Sequence, residues 1–282
     1  MEQEITSQRI FHYTKMESGL NILFEKRLRL NSISKTNDPR ETRSWNLLPL
    51  KDFGQQHNAD VDQANDVIEN IIPRVMMKEW KVLCFTLDSS TQNEKTEPST
   101  KKLYATFLDP GYTRPRMWAQ YADNHKGVCL LFDKSKLDEK VQQEFEGQCF
   151  PGEVGYDGEA FVDHSIFPPI SPNLLNDIKN LGPKEAARKY VFDHYPSLFL
   201  RKNPDWATET EYRWLIHSTI KEIEDIPIEG TIKAVLVSLE FSKIYEAALI
   251  PLCKELGIPA KRILWHNGMP KSEFETIYEP EI

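Results

Sequence analysis

The apolar residues of this 282-residue chain come in strand-sized runs separated by stretches of helical spacing, and that mixture constrains the fold more than any other feature. The best runs, 128–132 and 234–239, fall far short of the roughly 18 apolar residues that a membrane span needs. Each has the length of a buried strand. Elsewhere the apolar period changes. Met16, Leu20, Leu23 and Phe24 recur at helical spacing after the apolar-aromatic run 10–13, and Leu28 and Leu30 then alternate with Arg27 and Arg29 as a strand would.

Further along, Val61, Ala64, Val67, Ile68, Ile71 and Ile72 predict an amphipathic helix over 60–78, which Pro73 should kink or end. Strands are predicted over 82–87, 127–132, 147–156, 209–217, 232–241 and 262–266, and helices over 115–123, 174–180, 184–198 and 243–256. The polar stretch 31–41 reads as a loop, and 88–103 and 157–172 as irregular insertions in a single domain covering 1–282. Strands and helices at irregular intervals, without a repeat of fixed period, predict an α+β fold rather than a regular doubly wound sheet.

A content of 40% hydrophobic and 28% charged residues is that of a folded globular chain. The net charge of −8 speaks against a broad nucleic-acid-binding face and leaves room for a local basic pocket. Cys84, Cys129, Cys149 and Cys253 form no CxxC pair, so the usual zinc and redox spacings are missing. Cys84 and Cys129 sit in strand-like runs, where buried, reduced thiols are expected. Residues 1–9 are polar and lack an apolar signal core, so the expected location is cytoplasmic, with no membrane partner.

Four stretches could carry chemistry. Phe11-His12-Tyr13-Thr14 ends the first strand before a helix; alternation can send His12 and Thr14 together into a cleft and Tyr13 the other way. A structural histidine among aromatics fits the same pattern. Asn37-Asp38-Pro39-Arg40-Glu41 is either a capping turn or a loop bordering a substrate. Met117-Trp118-Ala119-Gln120-Tyr121 places Met117 and Tyr121 on one helical face, for core packing or for the wall of a pocket that takes a flat ring. In Glu209-Thr210-Glu211-Tyr212-Arg213-Trp214, a strand would put Glu209, Glu211 and Arg213 on one face, with the two carboxylates about 7 Å apart. Such a pair can stabilise a cationic transition state, or it is a solvated edge with an ordinary Glu–Arg pair. Lys202 and Trp206 upstream complete the site or anchor the loop.

The succession Phe11-His12-Tyr13-Thr14, Asn37-Asp38-Pro39, Met117-Trp118, Tyr121-Ala122, His125, Gly127, Lys202, Trp206, Glu209 and Glu211-Tyr212-Arg213 resembles the bacterial family catalogued as domain of unknown function 2971. The opening strand with His-Tyr-Thr, then a helix and a short strand, also resembles the start of the ADP-ribosyltransferase fold, including DNA-modifying toxins of toxin–antitoxin systems. That second resemblance implies a mixed-sheet core with helical insertions and NAD as a substrate without a metal. His12, Tyr13, Thr14, Asn37, Asp38, Trp118 and Tyr121 would border NAD, with Tyr121 stacking on nicotinamide. Glu211 would be catalytic, Glu209 would precede it in an ExE pair that orients the acceptor, and Arg213 would stand beside them. It further implies a nucleic-acid or protein acceptor, a role as toxin or anti-phage effector, and an antitoxin or chaperone as partner. Two other readings stand beside this one: a non-catalytic ligand-sensing or partner-binding module, and a metal-independent nuclease or phosphotransferase using His12, Asp38, Glu211 and Arg213.

Overall fold

The structure is a computed structural model that describes residues 8–42, 59–88, 110–156, 173–219 and 224–281. The expected insertions at 88–103 and 157–172 lie, apart from Asp88, outside the described residues.

The first strand, β1 (Arg9–Thr14), runs directly into α1 (Met16–Glu25) and then into β2 (Arg27–Arg29). The stretch expected as a loop over 31–41 is more ordered than that, because side chains supply local caps. β3 (Asn31–Ser32) leads into a 3-10 turn whose Ser34 amide donates to Ser32 Oγ, and α2 (Pro39–Thr42) follows. The helix expected over 60–78 forms in two pieces, α3 (Ala59–Asp66) and α4 (Ile72–Glu79), joined by one π-type turn. Pro73 lies just after the π-type turn, so the break in the regular α ladder falls where the proline has no N–H to donate.

β4 (Trp80–Leu87) is next, and after the undescribed stretch come α5 (Pro115–Tyr121) and β5 (Val128–Asp133). Asp133 caps α6 (Lys134–Glu144), a helix that the sequence reading passed over, and β6 (Cys149–Glu153) closes this part. α7 (Asn173–Leu181) and α8 (Pro183–Phe199) precede a 3-10 stretch, Pro204–Glu209. β7 (Glu211–His217) therefore starts two residues later than expected, and β8 (Asp225–Pro227) and β9 (Ile232–Val237) follow. α9 (Lys243–Leu256), β10 (Ala260–His266) and β11 (Met269–Tyr278) finish the chain, the last strand again unanticipated.

The main sheet has the order β11-β10-β9-β5-β1-β4-β7-β6, with β3 added beside β4; β2 and β8 form a separate ribbon. All its pairings are antiparallel except β9 with β10. The protein is thus mixed α/β with one large mixed sheet. One face carries a continuous core in which Leu23 of α1, Leu137 of α6 and Leu249 of α9 pack over Ile10, Phe85, Phe132 and Trp214. The other face carries two cores. Trp80, Val82 and Leu215 lie under α4, α7 and α8, whereas Phe11, Tyr13, Cys129 and Leu236 lie under Met117 and Trp118 of α5. Polar residues of β4 and β7 fall between these two cores, and the candidate site is built on them. Among the described residues, no helix is long and apolar enough to cross a membrane.

Candidate functional site

β1 and β4 pair at Ile10↔Leu87 and Phe11↔Thr86 and then part, whereas β4 and β7 stay in register from Trp80↔His217 to Thr86↔Glu211. The His12 imidazole enters the opening. Its Nδ1 lies 3.1 Å from the Cys84 carbonyl oxygen, and its ring packs 5.5 Å from that of Phe85. A carbonyl only accepts, so Nδ1 carries the proton of the neutral ring and Nε2 keeps its lone pair. Burial lowers the His12 pKa and the bond to Cys84 only partly offsets this, so the ring is neutral at pH 7.

The parting of the strands leaves a cleft of about 500 Å³. Its first wall is the end of β1 and the start of α1: His12, Thr14, Lys15 and Ser18. Lys35, Thr36 and Asn37 form the rim before α2, and Cys84 and Thr86 form the part of the floor given by β4. Gln120 and Tyr121 of α5 stand opposite, with Lys202, Glu209, Glu211 and Arg213 beneath them.

This last group is one buried ionic network. Lys202 Nζ donates to Glu209 Oε2 at 2.8 Å and meets Glu211 Oε2 at 2.7 Å. Arg213 grips Glu211 with two prongs, Nε to Oε1 at 2.7 Å and Nη2 to Oε2 at 3.0 Å. Its Nη1 donates to the Phe199 carbonyl at 2.7 Å and pairs with Glu41. Tyr121 Oη donates to Glu209 Oε1 at 2.6 Å. Burial alone would raise the Glu211 pKa, but Arg213 and then Lys202 outweigh it and hold the carboxyl at about 2. Burial opposes the charge of Lys202 in the same way, and Glu211 followed by Glu41 and Glu209 reverses the effect, so its pKa is raised. Burial, and then the Glu209 carboxylate, raise the Tyr121 pKa and keep the phenol protonated.

The two glutamates are not neighbours along one strand face, as expected; they converge on one ammonium. Thr210 between them adopts φ 42° and ψ 58°, a left-handed conformation that is a marked departure for a β-branched residue. Its carbonyl accepts from Leu87 N–H at 2.9 Å. Arg114 fixes the turn from outside, donating to the Glu209 carbonyl and to the Leu87 carbonyl, each at 2.7 Å.

The other expected site residues divide in two. Thr14, Asn37 and Tyr121 line the cleft with His12. Tyr121 offers its hydroxyl to Glu209, so its role is at least partly polar. Tyr13 contributes to the wall, but its side chain is buried in the core under α5, with Oη donating to the Gly111 carbonyl at 2.6 Å. Trp118 is wholly buried, stacks edge-on to Tyr13 and donates Nε1–H to the Tyr112 carbonyl; it is not part of the cleft wall. Asp38 is buried outside the wall, and its carbonyl accepts from Glu41 and Thr42 at the start of α2. Alternation along a strand accounts for Tyr13, and helical packing for Trp118.

The sequence reading did not single out Arg114, Lys15 or Lys35, and expected Cys84 only as a buried, reduced thiol of a strand. Cys84 is a half-buried thiol near Glu211; burial and then that carboxylate raise its pKa, so it is a weak nucleophile. For Arg114 the available signal was a cation directly before the proline that opens the helix.

Residues 117–214 match the model of a protein family of unknown function, DUF2971. The matched DUF2971 segment runs from α5 into β7, so it includes Tyr121, Lys202, Glu209, Glu211 and Arg213, while His12 and the α1 wall precede it. No curated protein and no solved structure matches the chain.

Proposed function

We propose that the cleft binds NAD and that the protein transfers ADP-ribose from it to a macromolecular acceptor. The observation that carries this reading is the meeting, in one cleft, of a neutral imidazole, a phenol and two carboxyl groups. Breaking the nicotinamide–ribose bond builds positive charge on the ribose, which nearby carboxylates stabilise. His12 Nε2 is an acceptor for a ribose hydroxyl. Lys15 and Lys35 on the rim, and the start of α1, whose Lys15 cap position has no side-chain hydrogen bond, suit the diphosphate. The acceptor is a protein or nucleic acid presented at the cleft mouth, as it would be for a toxin.

A second reading rests on one observation: the anionic charge of Glu211 is met by both Arg213 and Lys202. A network so fully paired also suits a module that binds a nucleotide without cleaving it.

Incubating the purified protein with labelled NAD and a cell lysate separates the two. The proposal requires nicotinamide release and label on macromolecules, both abolished in a Glu209→Gln, Glu211→Gln double variant that still folds. Binding of NAD without release supports the module. Absence of both binding and release overturns the NAD reading.

A further inference from the structure

We infer that Glu209, rather than Glu211, is the carboxylate presented to the substrate, with Glu211 acting as the anchor of the ionic network. This rests on the NAD reading and assigns the roles within it.

The argument is an inventory of lone pairs. A carboxylate offers about four acceptor positions on its two oxygens. For Glu211, Oε1 accepts from Arg213 Nε, and Oε2 faces both Arg213 Nη2 and Lys202 Nζ. Three of its positions are taken, and two cations neutralise it. Arg213 cannot turn away to release it, because the guanidinium is completely buried and its remaining edge holds Glu41 and the Phe199 carbonyl.

Glu209 is differently served. Oε1 accepts from the neutral hydroxyl of Tyr121, and Oε2 accepts from Lys202, which it shares with Glu211. Two acceptor positions are thus accounted for, against three for Glu211. Three carboxylates, Glu41, Glu209 and Glu211, surround the two cations Arg213 and Lys202. One negative charge is in excess, and Glu209 is the member of the pair with the least cationic contact.

The backbone is specialised at the same place. Thr210 is held left-handed, which takes Glu209 out of the line of β7, and Arg114 grips the Glu209 carbonyl. Strain of this kind persists only where surroundings enforce it, and it concentrates at functional positions.

In the reaction, the C–N bond to nicotinamide breaks with its electron pair passing to the nicotinamide nitrogen, which leaves neutral. The ribosyl cation forms beside Glu209. The acceptor's heteroatom, water in the simplest assay, bonds to the ribose carbon, and its proton passes to the Glu209 carboxylate and then to solvent.

The test compares wild type, Glu209→Gln, Glu209→Asp and Glu211→Gln for NAD affinity by calorimetry, nicotinamide release under saturating NAD, and urea unfolding. Glu209→Gln should keep the unfolding midpoint and the NAD affinity within about threefold of wild type while kcat falls by about 100-fold or more. Glu209→Asp, which restores the charge at shorter reach, should recover part of that loss. Glu211→Gln should lower the unfolding midpoint. Should Glu209→Gln retain kcat within about threefold of wild type, the assignment is overturned although the NAD reading stands. Loss of kcat in a folded Glu211→Gln with Glu209→Gln active would reverse the roles. A wild type that releases no nicotinamide removes the transferase reading and this assignment with it.

Discussion

His12 and Glu211 leave the sheet on opposite faces and line one cleft. The pairings Phe11↔Thr86 and Thr86↔Glu211 put Phe11 and Glu211 in one row, so alternation sends His12 the other way. They share the cleft because β1 and β4 part just after that row. If Nε2 of His12 holds a ribose hydroxyl, His12→Ala should weaken NAD binding by about tenfold, the equivalent of one hydrogen bond. Calorimetry reads this directly; unchanged affinity in a folded variant would show that the imidazole only wedges the strands apart.

Lys202 holds two carboxylates with one ammonium, and its side chain is 5% exposed. Lys202→Met leaves both carboxylates short of a cation in a buried setting and should cost about 3–5 kcal/mol of stability. Urea unfolding monitored by tryptophan fluorescence measures it. A cost below about 1 kcal/mol would mean that Arg213 and Tyr121 hold the glutamates unaided.

Acid should weaken the protein in two stages. The His12 pKa is lowered below 6.5 by burial, so the unfolded chain takes up that proton first and stability starts to fall as pH drops through about 6.5. Glu211 is held at about 2 against an ordinary 4.5; its contribution is complete above about 4.5 and is lost as pH falls from there toward about 2. Unfolding midpoints measured from about pH 7.5 down to about pH 3 should therefore decline with a steeper second limb. Glu211→Gln should remove much of that limb, and a flat profile would contradict both assignments.

Thr210 carries a conformational cost that glycine would not. Thr210→Gly should raise stability by about 1 kcal/mol, since the backbone bonds to Ala207 and Leu87 are retained. The melting temperature is the readout; a fall would show that the threonine side chain contributes more than its backbone conformation costs.

Gly127 lies against the end of β1. A Cβ placed there would stand 2.3 Å from the Thr14 carbonyl oxygen and 2.9 Å from Ala122 Cα, both backbone atoms. Gly127→Ala should destabilise the fold by about 1–3 kcal/mol and weaken NAD binding, because Thr14 belongs to the cleft wall. Normal stability in this variant would mean that β1 shifts freely.

Strong apolar periodicity made most elements legible. α9 begins and ends where its apolar spacing places it, with Ser242 Oγ accepting from Ile244 N–H at its start. α6 escaped because only Leu137 and Val141 of its eleven residues are buried and the rest are mostly charged or polar. β11 escaped because Pro270 and Lys271 interrupt its alternation, although Asn267-Gly268 before it signals a hairpin; both residues have positive φ, 50° and 77°. At the site, residue types were legible but their convergence was not. Glu209 and Glu211 meet on Lys202 only through a left-handed threonine, and no glycine or asparagine stands there to announce it. Glu41 reached Arg213 from a stretch read as a loop, a contact that depends on tertiary packing alone.

The two-pair junction between β1 and β4 has the fewest paired positions of any adjacent strands along the main path of the sheet. It divides the sheet into two jaws, β11 to β1 on one side and β4 to β6 on the other, joined at Ile10 and Phe11. Residues on the first jaw include His12 and Thr14, and residues on the second include Glu211 and Arg213, so any flexing about Ile10 and Phe11 changes the bite across the cleft.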